Sequence, residues 1–243
     1  MLTTKLKLTY ETVVNEAESY PVIVVAAGMS SRMQGINKQL IDIGGIPVII
    51  RTLKVFESSP FISRIILVAK QDDILQMQRL TDEYSITKLT DIVSGGADRH
   101  GSVMNGIARL NESETKVLIH DGARPFVDDV IIGNVASVLC DEVGVVCAVA
   151  VRDTVKRSDG NGYVKETLER DELYLIQTPQ GISVAEYKAA CEKLGDAEKY
   201  TDDAAVLEAA GKLVRIVEGS PRNIKITTVR DLETAKLYLG EDL

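Results

Sequence analysis

From Tyr20 onward, short β-branched runs alternate with longer stretches whose apolar residues recur at helical spacing. The runs at 22–26, 64–69, 87–93, 116–120 and 144–150 read as strands. Several of them are almost continuously apolar, as expected for strands covered on both faces of a mostly parallel sheet. Between them, 47–58, 72–84, 100–111 and 129–141 read as helices. This alternation implies βαβ units with right-handed crossovers, so the expected class is α/β with a doubly wound sheet.

Two regions break the rhythm. Residues 152–177 mix charges with the turn cluster Ser158-Asp159-Gly160-Asn161-Gly162 and flanking β-prone pieces, which predicts a hairpin arm projecting from the sheet. Beyond it, helices are expected at 183–194, 202–210 and 229–239, with strand-like pieces at 213–217 and 223–227. With no low-complexity linker and no repeat, 21–243 reads as a single domain with an arm at about 152–177, preceded by an extension over 1–20. That extension lacks the basic start and apolar stretch of a signal peptide.

Composition narrows the partners. The 28 Lys and Arg against 36 Asp and Glu give a net charge of −8, which argues against duplex nucleic acid as a partner. With no tryptophan and 5% aromatic residues, base-stacking platforms are not expected either. No apolar run approaches the roughly 18 residues of a membrane span. Cys140, Cys147 and Cys191 have no CxxC spacing, Cys140 and Cys147 read as small core residues, and such sparse usage suits a reducing cytoplasm.

In doubly wound sheets, ligands bind at the carboxyl ends of the strands, so chemistry is sought in the loops that follow them. The first, 26–33, runs Ala26-Ala27-Gly28-Met29-Ser30-Ser31-Arg32-Met33 and is followed by Lys38. Small residues let backbone N–H groups approach a phosphate chain, although a tight turn beside two solvated cations fits the same residues. Neither the dinucleotide GxGxxG nor the GxxxxGK[ST] loop is present. The second, Ser94-Gly95-Gly96-Ala97-Asp98-Arg99-His100-Gly101-Ser102, opens a helix at which Ser102 offers a hydroxyl. Asp98 also reads as that helix's cap, needing no ligand, and His100 is assigned no role. The third, His120-Asp121-Gly122-Ala123-Arg124, places a carboxylate where a buried strand emerges, with an arginine fork nearby. It suits a grip on a hydroxyl or a phosphate, and equally an Asp–Arg pair that holds the loop. Strand alternation would put Lys225 on the face opposite Ile224 and Ile226, although a solvated lysine on an edge strand fits the same residues; Thr201 or Asp202 reads as a cap.

Together the segments 26–33 with Lys38, 95–103, 120–126, 151–157, 177–180, 201–203 and 217–227 closely resemble the 2-C-methyl-D-erythritol 4-phosphate cytidylyltransferases of the non-mevalonate isoprenoid pathway. They occur in family order from about residue 20 to the end. The resemblance implies a Rossmann-like nucleotidyltransferase fold, a homodimer joined through the arms, and CTP with Mg²⁺ as reactants, the metal held mainly by the CTP phosphates. It makes Arg32 and Lys38 stabilisers of charge at the α-phosphate, and Arg170 and Lys225 holders of the substrate phosphate. Ala26, Ala27, Gly28, Gly96, Ala97 and Ser102 match the nucleotide contacts. Asp121, Arg124, Thr154 and Thr178 match the methylerythritol phosphate site, with Thr154 and Arg170 entering the neighbouring subunit. Ala97 stands where some members carry an acid, Gly122 where others carry alanine, and Asn37 where proline is common. The resemblance implies an enzyme in which a phosphate oxygen of the substrate attacks the α-phosphorus of CTP and pyrophosphate leaves. Ribitol-5-phosphate cytidylyltransferase is the alternative of the same reaction class, a CTP-binding module without turnover the alternative of another. A dehydrogenase is disfavoured by the missing glycine fingerprint.

Overall fold

The computed structural model describes residues 18–28, 37–195 and 199–240. In chain order the first elements are β1 (Tyr20–Val25), a small hairpin of β2 (Asp42–Ile43) and β3 (Ile46–Pro47), α1 (Val48–Ser58), β4 (Ile62–Ala69) and α2 (Ile74–Glu83). Then come β5 (Leu89–Ser94), α3 (Arg99–Ile107), β6 (Lys116–Asp121), α4 (Asp129–Ala136) and β7 (Val143–Ala150). The remainder comprises β8 (Lys156–Ser158), β9 (Val164–Thr167), β10 (Tyr174–Ser183), α5 (Val184–Leu194), α6 (Asp203–Ala209), β11 (Leu213–Glu218) and α7 (Val229–Tyr238).

Seven of these strands form one sheet in the order β11-β7-β10-β6-β1-β4-β5, parallel except for β10. Strand alternation divides the apolar residues between its two faces. Val22 and Val24 of β1 pack with Ile50 and Leu53 of α1, Met77 of α2 and Ile132 of α4. Ile23, between them, packs on the opposite face with Val103 of α3, Tyr187 of α5 and Leu207 of α6. Helices thus cover both sides, and the interior runs 22–24 of β1, 65–69 of β4 and 117–119 of β6 are unbroken apolar residues because neither face meets water there. A third cluster joins Ile43 and Val48 to Ile226 and Ala235, seating α7 against the β2–β3 hairpin. Among the described residues no helix is long and apolar enough to cross a membrane.

The helix starts follow from their caps. Asp98 accepts from the Gly101 N–H at 2.7 Å, Asp202 from the Ala205 N–H at 2.9 Å, and Thr228 forms a capping box with Asp231. Asp98 and Asp202 are therefore caps, as the plain reading of both had it.

Two elements differ from the sequence reading. The arm does not run to 177: Tyr174–Ser183 is a ten-residue strand in the middle of the sheet, between β7 and β6, and the helix expected at 183–194 follows it as Val184–Leu194. Its Gln177-Thr178-Pro179-Gln180 core is polar and carries a proline, both signals against a central strand. The pairing with β7 is irregular between Ile176 and Gln180, which accommodates the proline. The buried amides find partners, Gln177 donating to the Ser220 carbonyl and Gln180 to Asp202. The stretch 223–227 is not a strand, but the Ile226 N–H donates to the Ala123 carbonyl at 2.8 Å, tying it to the loop after β6. The arm itself is real: β8 and β9 pair antiparallel and every residue in them is exposed.

Candidate functional site

The loops after β1, β5 and β6 meet at one end of the sheet because those strands are parallel. Contact between the first two is tight. A Cβ at Gly95 would stand 2.3 Å from the Ala27 Cβ, and one at Gly96 would stand 2.5 Å from the Gly101 backbone. No side chain fits either position, which explains the paired glycines. Ala26 is buried, Gly28 and Ala97 are exposed, and Ala27 lies between. The Ser102 hydroxyl accepts from the Gly96 N–H at 3.1 Å and donates to the Asp98 carbonyl at 2.8 Å. Its proton therefore shapes the glycine loop from within. Lys38 opens a short helical turn capped by Asn37, whose amide also donates to Asp73 at 2.7 Å. Arg32 lies outside the described residues.

Asp121, at the end of β6, is the electrostatic centre. Lys225 Nζ lies 2.8 Å from its Oδ2, Arg124 Nε 3.5 Å from the same oxygen, and Arg99 Nε 3.8 Å from Oδ1. Burial opposes ionisation of this carboxyl. The charges of Lys225, Arg99 and Arg124, with the hydrogen bond from Lys225, outweigh it and hold the group well below the usual carboxylate range. Arg99 Nη2 also meets Asp203, almost fully buried, at 2.7 Å.

Behind the loop, His120 is fully buried. The Asp121 N–H donates to Thr178 Oγ1 at 3.0 Å, and that oxygen lies 3.1 Å from His120 Nδ1. His120 Nε2 lies 3.2 Å from the Arg124 carbonyl, which can only accept. The proton of a neutral ring therefore sits on Nε2, and Thr178 donates to Nδ1. Burial pushes the imidazole down to about 3, keeping it neutral. Thr178 thus braces the Asp121–Arg124 turn, and its hydroxyl proton is committed inward. Asn223 completes the scaffold, donating to the Thr178 carbonyl at 2.9 Å while its own carbonyl accepts from Arg124 Nη1 at 2.8 Å.

An open cleft of about 1010 Å³ adjoins this centre, with Arg124, Arg152, Tyr174, Gln177, Ile216 and Asn223 among its lining. Of the residues singled out in the sequence, Asp121, Arg124, Thr178 and Lys225 come together. Thr154 is exposed on the connection from β7 to the arm. Arg170 is exposed too, donating to the Arg152 carbonyl at 3.2 Å with Asp171 beside it. The sequence reading left Arg99, Asp203 and His120 without roles. Asp203 had a signal, because a cap at Asp202 needs one acid and two stand there.

As a metal cage this donor set fits poorly. Asp121 is shared among three cations and Asp203 is held by Arg99 and the Tyr187 hydroxyl. Backbone N–H groups and cations at the loops suit an oxyanion chain instead.

Comparison with known proteins agrees with this chemistry. The family model for 2-C-methyl-D-erythritol 4-phosphate cytidylyltransferase matches residues 21–241. The enzyme of that name from Halalkalibacterium halodurans is 41% identical over 224 residues, 91% of this chain and 97% of its own. That from Shouchella clausii is 43% identical over 225 residues, 90% of this chain and 96% of its own. The crystal structure of 4-diphosphocytidyl-2C-methyl-D-erythritol synthase from Anaerococcus prevotii superposes with a TM-score of 0.81 at 32% identity, covering 93% of this chain and all of that one. The fold is accordingly the Rossmann-like nucleotidyltransferase fold, and the chain belongs to the 2-C-methyl-D-erythritol 4-phosphate cytidylyltransferase family.

Proposed function

We propose that the protein joins CTP and 2-C-methyl-D-erythritol 4-phosphate, releasing pyrophosphate and forming 4-diphosphocytidyl-2-C-methyl-D-erythritol for isoprenoid precursor synthesis. The observation that carries this reading is the Lys225–Asp121–Arg124 cluster beside the glycine loop, in a chain of that family. A phosphate oxygen of the acceptor attacks the α-phosphorus of CTP; the new P–O bond forms as the bond to the β-phosphate oxygen breaks. A phosphate monoester is nucleophilic near neutral pH, so the chain's task is to bring two anions together. Arg32, Lys38, Arg170 and Lys225 are assigned to that charge stabilisation. Ala26, Ala27, Gly28, Gly96 and Ala97 offer the nucleotide their backbone, on a loop that Ser102 shapes. Asp121, Arg124 and Thr154 are assigned to the acceptor, with Thr178 bracing them. Magnesium, when bound, neutralises triphosphate charge, its oxygens coming mainly from phosphate and water.

We further read residues 21–243 as one catalytic unit that works as a homodimer in the cytoplasm. Tyr163 and Val164 on the arm and Tyr174 and Leu175 at its base are exposed at 74%, 63%, 44% and 59%. That much open apolar surface along one projection supports a second copy as its cover. The family match does not favour ribitol 5-phosphate as acceptor or a binder without turnover. The test is to incubate the protein with CTP, Mg²⁺ and either methylerythritol 4-phosphate or ribitol 5-phosphate, and to identify the product by mass. The cytidine diphosphate adduct of the first is expected; the adduct of the second alone would replace the substrate assignment.

A further inference from the structure

Arg99 and Asp203 remain outside the roles assigned above, yet they form a short ion pair at the site whose carboxylate is almost fully buried. Arg99 occupies the first turn of α3 and Asp203 the first turn of α6, elements on the same side of the sheet. One guanidinium edge meets Asp203 Oδ2 at 2.7 Å, while Nε faces Asp121 Oδ1 at 3.8 Å. Asp203 is fixed from its other oxygen by the Tyr187 hydroxyl at 3.1 Å, and that hydroxyl lies 3.1 Å from His100 Nδ1. Because the hydroxyl donates to the carboxylate, His100 Nδ1–H donates to the hydroxyl. The chain His100–Tyr187–Asp203–Arg99 thus ends on Asp121, opposite the edge that takes Lys225.

This position has an electrostatic consequence. Asp121 carries one negative charge, and Lys225 is its nearest cation at 2.8 Å. Were Lys225 alone with it, the pair would be neutral and the ammonium would attract an incoming phosphate only weakly. With Arg99 and Arg124 added, three cations face the two carboxylates Asp121 and Asp203, so one net positive charge remains over the cluster and would vanish without Arg99. Asp203 in turn anchors Arg99 so that it does not swing outward toward the phosphates itself.

We propose that Arg99, clamped by Asp203, is a positioning residue that occupies one edge of Asp121 and thereby leaves Lys225 available to the phosphate of the acceptor substrate. The inference rests on the function proposed above. A guanidinium suits the task because its planar fork spans two carboxylates, which an ammonium does not.

The experiment compares Arg99→Met in the wild-type and Lys225→Ala backgrounds, measuring KM for each substrate and kcat by pyrophosphate release. In the wild-type background the KM of the phosphate acceptor should rise about tenfold, with the KM of CTP unchanged within about twofold. In the Lys225→Ala background the same substitution should have no further effect on the acceptor, because its route of action is gone. An equal rise in both KM values, or an undiminished effect without Lys225, would overturn the proposal and leave Arg99 a structural pair. Should Arg99→Met fail to fold, Arg99→Gln is read in the same way, since it removes the charge but keeps a donor that can still reach Asp203. Wild-type enzyme that releases no pyrophosphate with methylerythritol 4-phosphate would instead reject the function on which the proposal rests.

Discussion

At Lys225 a single cation stands between Ile224 and Ile226, both packed in the cluster under α7, and this alternation turns the ammonium to Asp121. Its direction was legible in the sequence as a charge in an apolar run; its partner was not, because 104 positions separate the two. Lys225→Ala should lower the rate of pyrophosphate release by about 10²–10³, the usual cost of one preorganised charge-stabilising donor. The variant should stay folded, since Asp121 keeps Arg99 and Arg124, and circular dichroism checks this. His120 gives a prediction on stability. In the unfolded chain its imidazole takes a proton at about 6.5, in the folded one only at about 3. The unfolded state therefore binds more protons between these values, and stability rises with pH across the interval. The contribution is on the order of 4–5 kcal/mol above pH 6.5 and is lost as pH falls toward 3. Urea unfolding between pH 7.5 and 5, where carboxylates contribute little, should show this slope in wild type and a flatter one in His120→Asn. Equal slopes would contradict the buried neutral ring.

At the scale of elements, the strands with unbroken apolar runs were readable because both of their faces are covered along those runs, as in β1, β4 and β6. β10 was not. Its Gln177, Thr178 and Gln180 lie within the sheet only because Ser220, His120 and Asp202, from three other segments, satisfy their polar groups. No local pattern records partners that distant in the chain, and Pro179 argues against a central strand. The same irregular strand carries the brace under Asp121, so the element that sequence periodicity missed is the one that seats the site. The arm followed from its turn cluster, and its pairing is β8 with β9. Arg152 and Asp153, where the arm leaves the sheet, line the cleft, and the guanidinium of Arg170 donates to the Arg152 carbonyl there. If arms exchange between subunits, Lys38→Ala and Arg170→Ala proteins, each inactive alone, should regain activity when mixed and allowed to exchange. Statistical pairing leaves about a quarter of the sites intact. No recovery, with exchange confirmed by mass spectrometry, would count against shared sites.

Across the whole molecule, the parallel strands bring three loops to one end, and Gly95 brings two of them together so closely, against Ala27, that a side chain there is excluded. An acidic chain, with net charge −8, concentrates Arg99, Arg124 and Lys225 around one carboxylate at that end. Net charge argued against a nucleic-acid partner without revealing this local excess of cations, since a few residues placed by the fold decide it. The central claim is that this cluster transfers a cytidylyl group to a phosphate acceptor. The direct measurement is pyrophosphate release with CTP and Mg²⁺, with and without methylerythritol 4-phosphate, for wild type and Lys225→Ala in parallel. Release that requires the acceptor and falls about 10²–10³ in the variant is predicted. Release that is independent of the acceptor, or equal in the two proteins, would contradict the account.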